Sequence, residues 1–242
     1  MRRATKNYYA LGTHVTLSVE ASRPDPALAR AARLIGYYET LLSANSASSE
    51  VSRINQAAGA EPVLVNPIAY RLIRDAVVIS RSKKGFNAAI GPLVQLWRIG
   101  FDDAQRPDPA AIASCLELTD PTQIKLDDAR RSVFLRHPGM RLDLGAIAKG
   151  YIADAIKQAW QDEGVESGVI DLGGNILTVG PGPRPGEYWH IGVQKPFAER
   201  GRPLGVLRLP PCSVVTSGIY ERSLTTPQGS WHHILDPRTG YP

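Results

Sequence analysis

The chain has 242 residues, of which 43% are hydrophobic, so it is long enough to bury a core as one large domain or two small, closely joined domains. Its net charge is +5, yet no basic run of five or more residues occurs, which argues against a nucleic-acid-binding surface. No apolar run is long enough to cross a bilayer, so we do not expect the chain to span a membrane.

The N-terminus shows no signal peptide, because its charged residues are not followed by an apolar segment. The sequence therefore does not decide in which cellular compartment the protein works. The sequence as written indicates the cytoplasm, and the periplasm becomes the alternative if residues are missing before Met1.

Hydrophobic patterns predict one strand and then a series of helices in the first part of the chain. The strand covers residues 8–21, and Gly12 within it indicates a bulge or a close approach of another backbone. The helices that follow begin at prolines or at capping residues such as Asn66. They are predicted at residues 24–42, 50–56, 67–83, 91–97 and 110–116.

Strands dominate the second part. A hairpin is predicted from strands at 123–126 and 132–136, and a helix begins near Ala146. The strands predicted after that helix cover residues 167–172, 175–179, 189–193, 205–209, 213–216 and 230–235. Helices followed by antiparallel strands are typical of the α+β class rather than of a doubly wound sheet.

The clearest chemistry lies at the start of the helix near Ala146. Asp143 precedes this helix and Lys149 lies in its first turn. Helix N-termini favour anions, and a lysine in the first turn is unfavourable there unless an anion lies between the helix N-terminus and the lysine. The segment therefore predicts a site for phosphate and metal.

Three other polar segments each allow two interpretations. The segment 171–175 has two adjacent glycines, which could cradle a phosphate or form a tight turn between strands. Thr216 and Ser217 suit an oxygen-rich ligand, or the turn of a hairpin. His233 could exchange protons beside Asp236, or be an ordinary histidine of a strand.

Two aromatic residues belong to the segment of the predicted helix at 91–97: Phe86 precedes the helix and Trp97 is its last residue. Phe86 and Trp97 could stack against a planar ring, or they could lie in the core. The pattern leaves both interpretations open.

Read together and in this order, these segments resemble the ApbE family of FAD:protein FMN transferases. The resemblance rests on blocks spread over the whole chain, at residues 10–13, 41–43 with 49–55, 85–97, 142–154, 171–175, 216–222 and 233–242. No single block is decisive, but six or more blocks in the same order are highly specific.

The resemblance implies an α+β fold related to the tunnelling folds, with helices packed on largely antiparallel sheets. It implies a single domain, residues 1–242, with FAD held between its two halves. It also implies an enzyme that uses Mg²⁺ to cleave FAD, transfers FMN to a Thr or Ser hydroxyl of a target flavoprotein, and releases AMP. The expected target is a subunit of a respiratory or redox membrane complex.

Carried over residue by residue, the resemblance implies positions for FAD, metal and catalysis. The carbonyl of Ala146 would bind Mg²⁺, which prefers oxygen ligands. Lys149 and Asp143 would act at the phosphates, and His233 would be the base for the incoming hydroxyl. The implied FAD contacts are Leu11, Asn45, Gly85, Phe86, Asn87, Asp143, Lys149, Thr216, Ser217, His233 and Ile234.

The chain departs from the family pattern at four positions and at its end. Leu11 replaces the usual Met, Asn45 a common aromatic residue, and Asn87 a common Asp. Ile219 stands where a polar residue usually follows Thr-Ser-Gly. Family members continue beyond Pro242 with a segment that completes the magnesium site, so we expect a C-terminally incomplete domain. Two other functions therefore stay open, an FAD pyrophosphatase that forms FMN and AMP, and a non-catalytic flavin-binding maturation factor.

Overall fold

The structure, a computed structural model, describes residues 1–183, 186, 188–199 and 201–242. Its helices are α1 (Pro24–Leu42), α2 (Glu50–Gln56), α3 (Pro67–Arg81), α4 (Gly91–Trp97), α5 (Pro109–Glu117) and α6 (Gly145–Asp162). Its strands are β1 (Arg2–Ala10), β2 (Thr13–Ala21), β3 (Val63–Leu64), β4 (Ile124–Asp127), β5 (Ser132–Leu135), β6 (Ser167–Leu172), β7 (Asn175–Val179), β8 (Trp189–Gln194), β9 (Pro203–Leu209), β10 (Ser213–Val215), β11 (Ser223–Thr226) and β12 (Gly229–His232). All strand pairings among the described residues are antiparallel, which confirms the predicted α+β class.

The described residues form two compact units. Unit 1 comprises Met1–Glu39 and Lys149–Gly218, and unit 2 comprises Thr40–Ala148 and Ile219–Pro242. The site residues predicted in unit 1 are Leu11, Lys149, Thr216 and Ser217, and all others belong to unit 2. Within the described ranges, no helix combines the length and the apolar character needed to cross a membrane.

Unit 1 is built on a five-stranded sheet in the order β1-β2-β6-β7-β10. Trp160 of α6 is fully buried and its indole N–H donates to the Ala27 carbonyl of α1 at 3.1 Å. The same ring covers Gly168 of β6 so closely that a Cβ there would lie 2.8 Å from it. Trp160 therefore fixes α6 against both α1 and the sheet.

Unit 2 has a three-stranded sheet in the order β3-β5-β4, the hairpin β11–β12, and a core around α4 and α5. Trp97 of α4 is fully buried, and its indole N–H donates to the Gly240 carbonyl at 2.9 Å. Its ring centroid lies 5.5 Å from that of Trp231 on β12. Trp97 is therefore a core residue that ties the segment before Pro242 to α4.

The predicted strand at 8–21 is in fact two strands. Ala10 of β1 pairs with Thr13 of β2, and the chain reverses between them at Leu11 and Gly12, whose φ angles are 54° and 67°. A two-residue hairpin turn of this kind needs positive φ at both positions, so glycine there ends a strand instead of interrupting it. The prediction missed β1 because its side chains are largely exposed and show little hydrophobic pattern.

In unit 2 the observed strands differ from the predicted strands in two further ways. The strands β3 and β11 were not predicted, because β3 has only two residues and β11 is mostly polar. The strand predicted at 230–235 ends earlier, at His232, where pairing with Ser223 ends. His233 therefore follows the hairpin instead of lying within a strand.

Candidate functional site

Asp143 lies on a segment whose main chain is held by hydrogen bonds within unit 2. The Asn55 side chain on α2 accepts the Leu142 N–H at 2.7 Å and donates to the Leu142 carbonyl at 3.0 Å. The Asp143 N–H donates to the Ala88 carbonyl at 2.9 Å. These bonds hold Asp143 in place without help from a ligand, as a preorganised site requires.

The Asp143 carboxyl caps the start of α6. Its Oδ1 accepts the Gly145 N–H at 2.8 Å, which satisfies one of the N–H groups that a helix N-terminus leaves without an intrahelical partner. Burial raises the pKa of Asp143 above its ordinary value, although the Gly145 N–H and Arg141 act in the opposite direction. A carboxyl in such an environment is a candidate for a functional role.

Ala146 is exposed in the first turn of α6. The N–H groups of Ile147 and Ala148 both donate to the Leu144 carbonyl, at 3.0 and 2.8 Å. The Ala146 carbonyl offers the oxygen ligand that Mg²⁺ prefers, but nowhere in the described ranges do three or more His, Cys, Asp or Glu residues form a group that could hold a metal. An ion at this carbonyl would therefore need further oxygens from elsewhere, such as substrate phosphates and water.

The loop at 85–87 directly precedes Ala88, whose carbonyl accepts the Asp143 N–H. Gly85 has φ 92° and open space around its missing Cβ, so the glycine is needed for conformation and not for packing. The Asn87 Oδ1 accepts the Ala89 N–H at 2.9 Å, and its Nδ2 donates to the Thr119 carbonyl at 2.8 Å. An Asp at this position could not make the second bond, which gives the departure from the family pattern a structural reason.

Asn45 lies exposed in the serine-rich loop before α2. Its N–H donates to Ser43 Oγ at 3.2 Å. Ser49 closes this loop, because its hydroxyl donates to the Ser43 carbonyl and accepts the Ser52 N–H at 3.0 Å as the cap of α2. Phe86, the other predicted contact with a ring, is half-buried.

His233 is oriented by the main chain of Arg222. Its own N–H and its ring Nδ1 each lie 3.2 Å from the Arg222 carbonyl oxygen. A carbonyl can only accept, so Nδ1 carries the proton of the neutral ring and Nε2 has the lone pair. Ile234, which follows, is 39% exposed.

One of the two interpretations of His233 placed it beside Asp236, and the structure gives Asp236 a strong partner of its own. Both Asp236 oxygens bond to the guanidinium of Arg238, with Nη2···Oδ2 at 2.7 Å and Nε···Oδ1 at 3.0 Å. This contact lowers the pKa of Asp236 to about 2. The turn around Pro237 therefore pairs Asp236 with a cation two residues later.

In unit 1, the segment 171–175 forms the tight turn between β6 and β7 that was one of its two predicted interpretations. The Gly174 N–H donates to Asp171 Oδ1 at 2.9 Å. The Thr216 N–H, directly after β10, donates to the Gly174 carbonyl at 3.0 Å. Thr216 and Ser217 are exposed, and Lys149 on α6 is half-buried.

Sequence reasoning missed two buried amides, Asn55 and Asn175, which are 6% and 9% exposed. Asn55 shares the buried face of α2 with Val51 and Ile54. A polar residue on an apolar helix face predicts a specific hydrogen-bond partner, so this signal was present in the sequence. Asn175 follows two glycines, and nothing in the pattern indicates that its side chain is buried.

Comparison with known proteins identifies similar chains over almost the whole length. A model of the ApbE family matches residues 11–242. A relative from Klebsiella pneumoniae (strain 342), named FAD:protein FMN transferase, is 50% identical over 220 residues, covering 90% of this chain and 67% of the relative. A relative of the same name from Treponema pallidum (strain Nichols) is 36% identical over 261 residues, covering 100% of this chain and 72% of the relative.

Solved structures have the same fold. The crystal structure of the ApbE protein from Thermotoga maritima MSB8 matches with a TM-score of 0.90 and 30% identity, over 100% of this chain and 78% of that protein. The flavin transferase ApbE from Vibrio cholerae matches with a TM-score of 0.81 over 100% of this chain and 78% of that protein. At 24% identity, the second likeness concerns the fold alone.

Proposed function

This chain belongs to the ApbE family, and we propose that it is an FAD:protein FMN transferase. The observation that carries the proposal is the 50% identity with a transferase of that name over 90% of this chain. An enzyme is favoured over a passive flavin-binding protein because the Asp143 segment combines a fixed main chain with a carboxyl of raised pKa.

The proposed reaction moves FMN from FAD to a Thr or Ser hydroxyl of a target flavoprotein. The hydroxyl oxygen attacks the phosphorus on the flavin side of the FAD pyrophosphate and forms a new P–O bond. The bond from that phosphorus to the bridging oxygen breaks, and AMP leaves with this oxygen. The hydroxyl proton must pass to a base, and charge on the phosphoryl oxygens must be neutralised.

His233 is the proposed base. Its Nδ1 is directed at the Arg222 carbonyl, which holds the proton on Nδ1 and leaves Nε2 as the basic nitrogen. The His233→Asn variant keeps an N–H donor for this carbonyl but has no basic nitrogen. Loss of general-base catalysis would lower transfer about 10²- to 10⁴-fold.

The other site residues have proposed roles within their own unit. In unit 1, Lys149 neutralises phosphoryl charge, while Leu11, Thr216 and Ser217 contact FAD. In unit 2, Asp143 acts at the phosphates and is held in place by Asn55. The further FAD contacts proposed in unit 2 are Asn45, Gly85, Phe86, Asn87, His233 and Ile234.

Magnesium is a further part of the proposal. The Ala146 carbonyl is the protein ligand that we propose for it. When bound, the ion would neutralise charge on the phosphates, which supply further oxygen ligands. Chelation of divalent cations should abolish transfer and added Mg²⁺ should restore it, whereas unchanged transfer in the presence of the chelator would remove magnesium from the proposal.

The experiment that tests the function uses FAD, Mg²⁺ and a target domain that carries an acceptor Thr. The wild-type protein should make the target covalently fluorescent in a denaturing gel, and a target with Thr→Val should stay dark. FMN and AMP released without any labelled target would instead indicate the pyrophosphatase. FAD binding without AMP release would indicate a maturation factor.

A further inference from the structure

Asn175 is a buried amide whose hydrogen-bonding capacity is unused. It is the first residue of β7 and only 9% exposed, and its Nδ2 meets no acceptor in the part of the chain that the structure describes. A buried polar group left without a partner is destabilising, so such groups are rare in folded proteins and each needs an explanation. Within unit 1, the surroundings of Asn175 supply one.

The turn before Asn175 holds the residue in a defined position. Gly173 and Gly174 have φ angles of 69° and 87°, and a Cβ on Gly173 would overlap the Thr13 side chain. The Gly174 N–H is bound by Asp171, and β10 pairs with β7 at Asn175 itself. Glycine is therefore required for the turn, and the amide is presented by a rigid strand end.

The amide faces the second turn of α6. A Cβ placed on Gly150 would lie 3.9 Å from Asn175 Oδ1, so the helix residue beside the amide contributes no side chain that could cover it. Gly150 is the sixth residue of α6 and directly follows Lys149. Lys149 adds a positive charge to this helix turn.

The amide donor and the lysine, both in unit 1, favour an acceptor that carries negative charge. We infer that Asn175 Nδ2 donates a hydrogen bond to a phosphate oxygen of the bound flavin nucleotide. The inference rests on the proposed function and adds a binding residue to it. It explains why Nδ2 has no partner among the described residues, because the ligand supplies the acceptor.

The first test compares stability and binding in the Asn175→Leu variant, whose side chain has the same branched shape and the same number of heavy atoms. No hydrogen bond is lost in the ligand-free protein, so the melting temperature without FAD should be unchanged or higher. The Kd for FAD should rise about 10-fold or more, as expected for a lost hydrogen bond to a charged group. Melting curves with and without FAD and fluorescence titration measure both quantities.

Two asparagines provide matched controls. Asn55→Leu removes a buried amide that makes two hydrogen bonds, so it should lower the melting temperature where Asn175→Leu does not. Asn7→Leu makes the same change on the exposed surface of β1 and should alter neither quantity. A melting temperature that falls as far for Asn175→Leu as for Asn55→Leu would overturn the inference, because Asn175 would then have a structural role.

A ligand series tests whether phosphate is the group recognised. FAD and FMN contain phosphate and riboflavin does not. Asn175→Leu should weaken FAD and FMN binding and leave riboflavin binding close to that of the wild type. An equal loss for riboflavin would overturn the assignment to phosphate.

Gly150→Ala provides a second variant that should fold well. Alanine favours a helix interior over glycine, so the melting temperature should rise. The added methyl group would lie 3.9 Å from Asn175 Oδ1 and crowd the amide, so FAD affinity should fall. Unchanged or tighter FAD binding would contradict the inference. These readouts measure binding or stability, and none of them measures transfer. A wild-type protein that binds FAD but fails to transfer FMN would therefore refute the proposed function without deciding the role of Asn175.

Discussion

At the scale of single residues, Leu11 combines backbone strain with a proposed FAD contact. Its φ of 54° lies in the left-handed region, which costs a non-glycine residue about 1–2 kcal/mol. The β1–β2 turn needs that conformation, and the Leu11 N–H is held at 3.1 Å by Glu39 Oε1. Strain of this kind persists where the surrounding structure fixes it, often at functional positions.

We therefore expect Leu11→Gly to stabilise the protein and weaken FAD binding. Relief of the positive φ, offset by the larger chain entropy of glycine, should raise the free energy of unfolding by about 0.5–1 kcal/mol. Arg131 is an exposed residue of unit 2 with the same φ of 54°, so Arg131→Gly is the matched control. It should stabilise the protein similarly with FAD affinity unchanged. Full affinity in Leu11→Gly would show that the side chain does not contact FAD.

The Asp143 carboxyl should make stability depend on pH. Burial raises its pKa above 3.8, so from that value up to the higher folded pKa the folded protein binds more protons than the unfolded chain. Stability contributed by this group is therefore present at low pH and falls as pH rises through that window.

Replacement of Asp143 by Asn removes the buried charge and keeps an oxygen for the Gly145 N–H. The Asn variant should melt at a higher temperature than the wild type at neutral pH, and the difference should disappear below pH 3.8. Melting curves over a pH series measure this, with Asp154→Asn on the exposed part of α6 as the control. A difference that is the same at every pH would argue against the raised pKa.

At the scale of elements, the contact between α2 and the segment before α6 helps to position the site in unit 2. Asn55 bonds to the main chain of Leu142 much as a neighbouring strand would. Asp143 is the next residue, so movement of this segment would displace its carboxyl. Asn55 is therefore a positioning residue, and its contribution extends beyond the stability of α2.

Asn55→Ala should lower both stability and transfer. Two buried main-chain groups of Leu142 would lose their partners, at a cost of about 2–4 kcal/mol in the free energy of unfolding. Gln56→Ala, at the exposed neighbouring position, should leave both properties near wild type. Denaturant titration gives stability, and transfer measured under fully folded conditions gives the catalytic effect. A variant that is destabilised yet transfers FMN at the wild-type rate when folded would contradict the positioning role.

At the scale of the whole molecule, local signals predicted most of the elements. α2, α4, β6 and β7 lie where the sequence placed them, because caps, prolines and alternation act over a few residues. β1 was not predicted in full, because it forms by pairing with β2 and its largely exposed side chains show little hydrophobic alternation.

The candidate site was harder to predict than the elements. Asp143 and the start of α6 were visible because their residues are neighbours in sequence. The support for Asp143 comes from Asn55, 87 positions from its partner Leu142, and no local rule predicts that contact. The contact of Asp236 with Arg238, by contrast, is local, and the sequence interpretation that placed Asp236 beside His233 did not anticipate it.

The most direct test of the proposed function is the ratio of AMP released to FMN bound covalently to the target. Wild-type protein, FAD, Mg²⁺ and excess target domain are incubated together. AMP is then quantified by chromatography and bound flavin by the intact mass of the target. A transferase should give equal amounts of the two products at every time point. AMP in large excess over bound FMN, with free FMN making up the difference, would contradict the account.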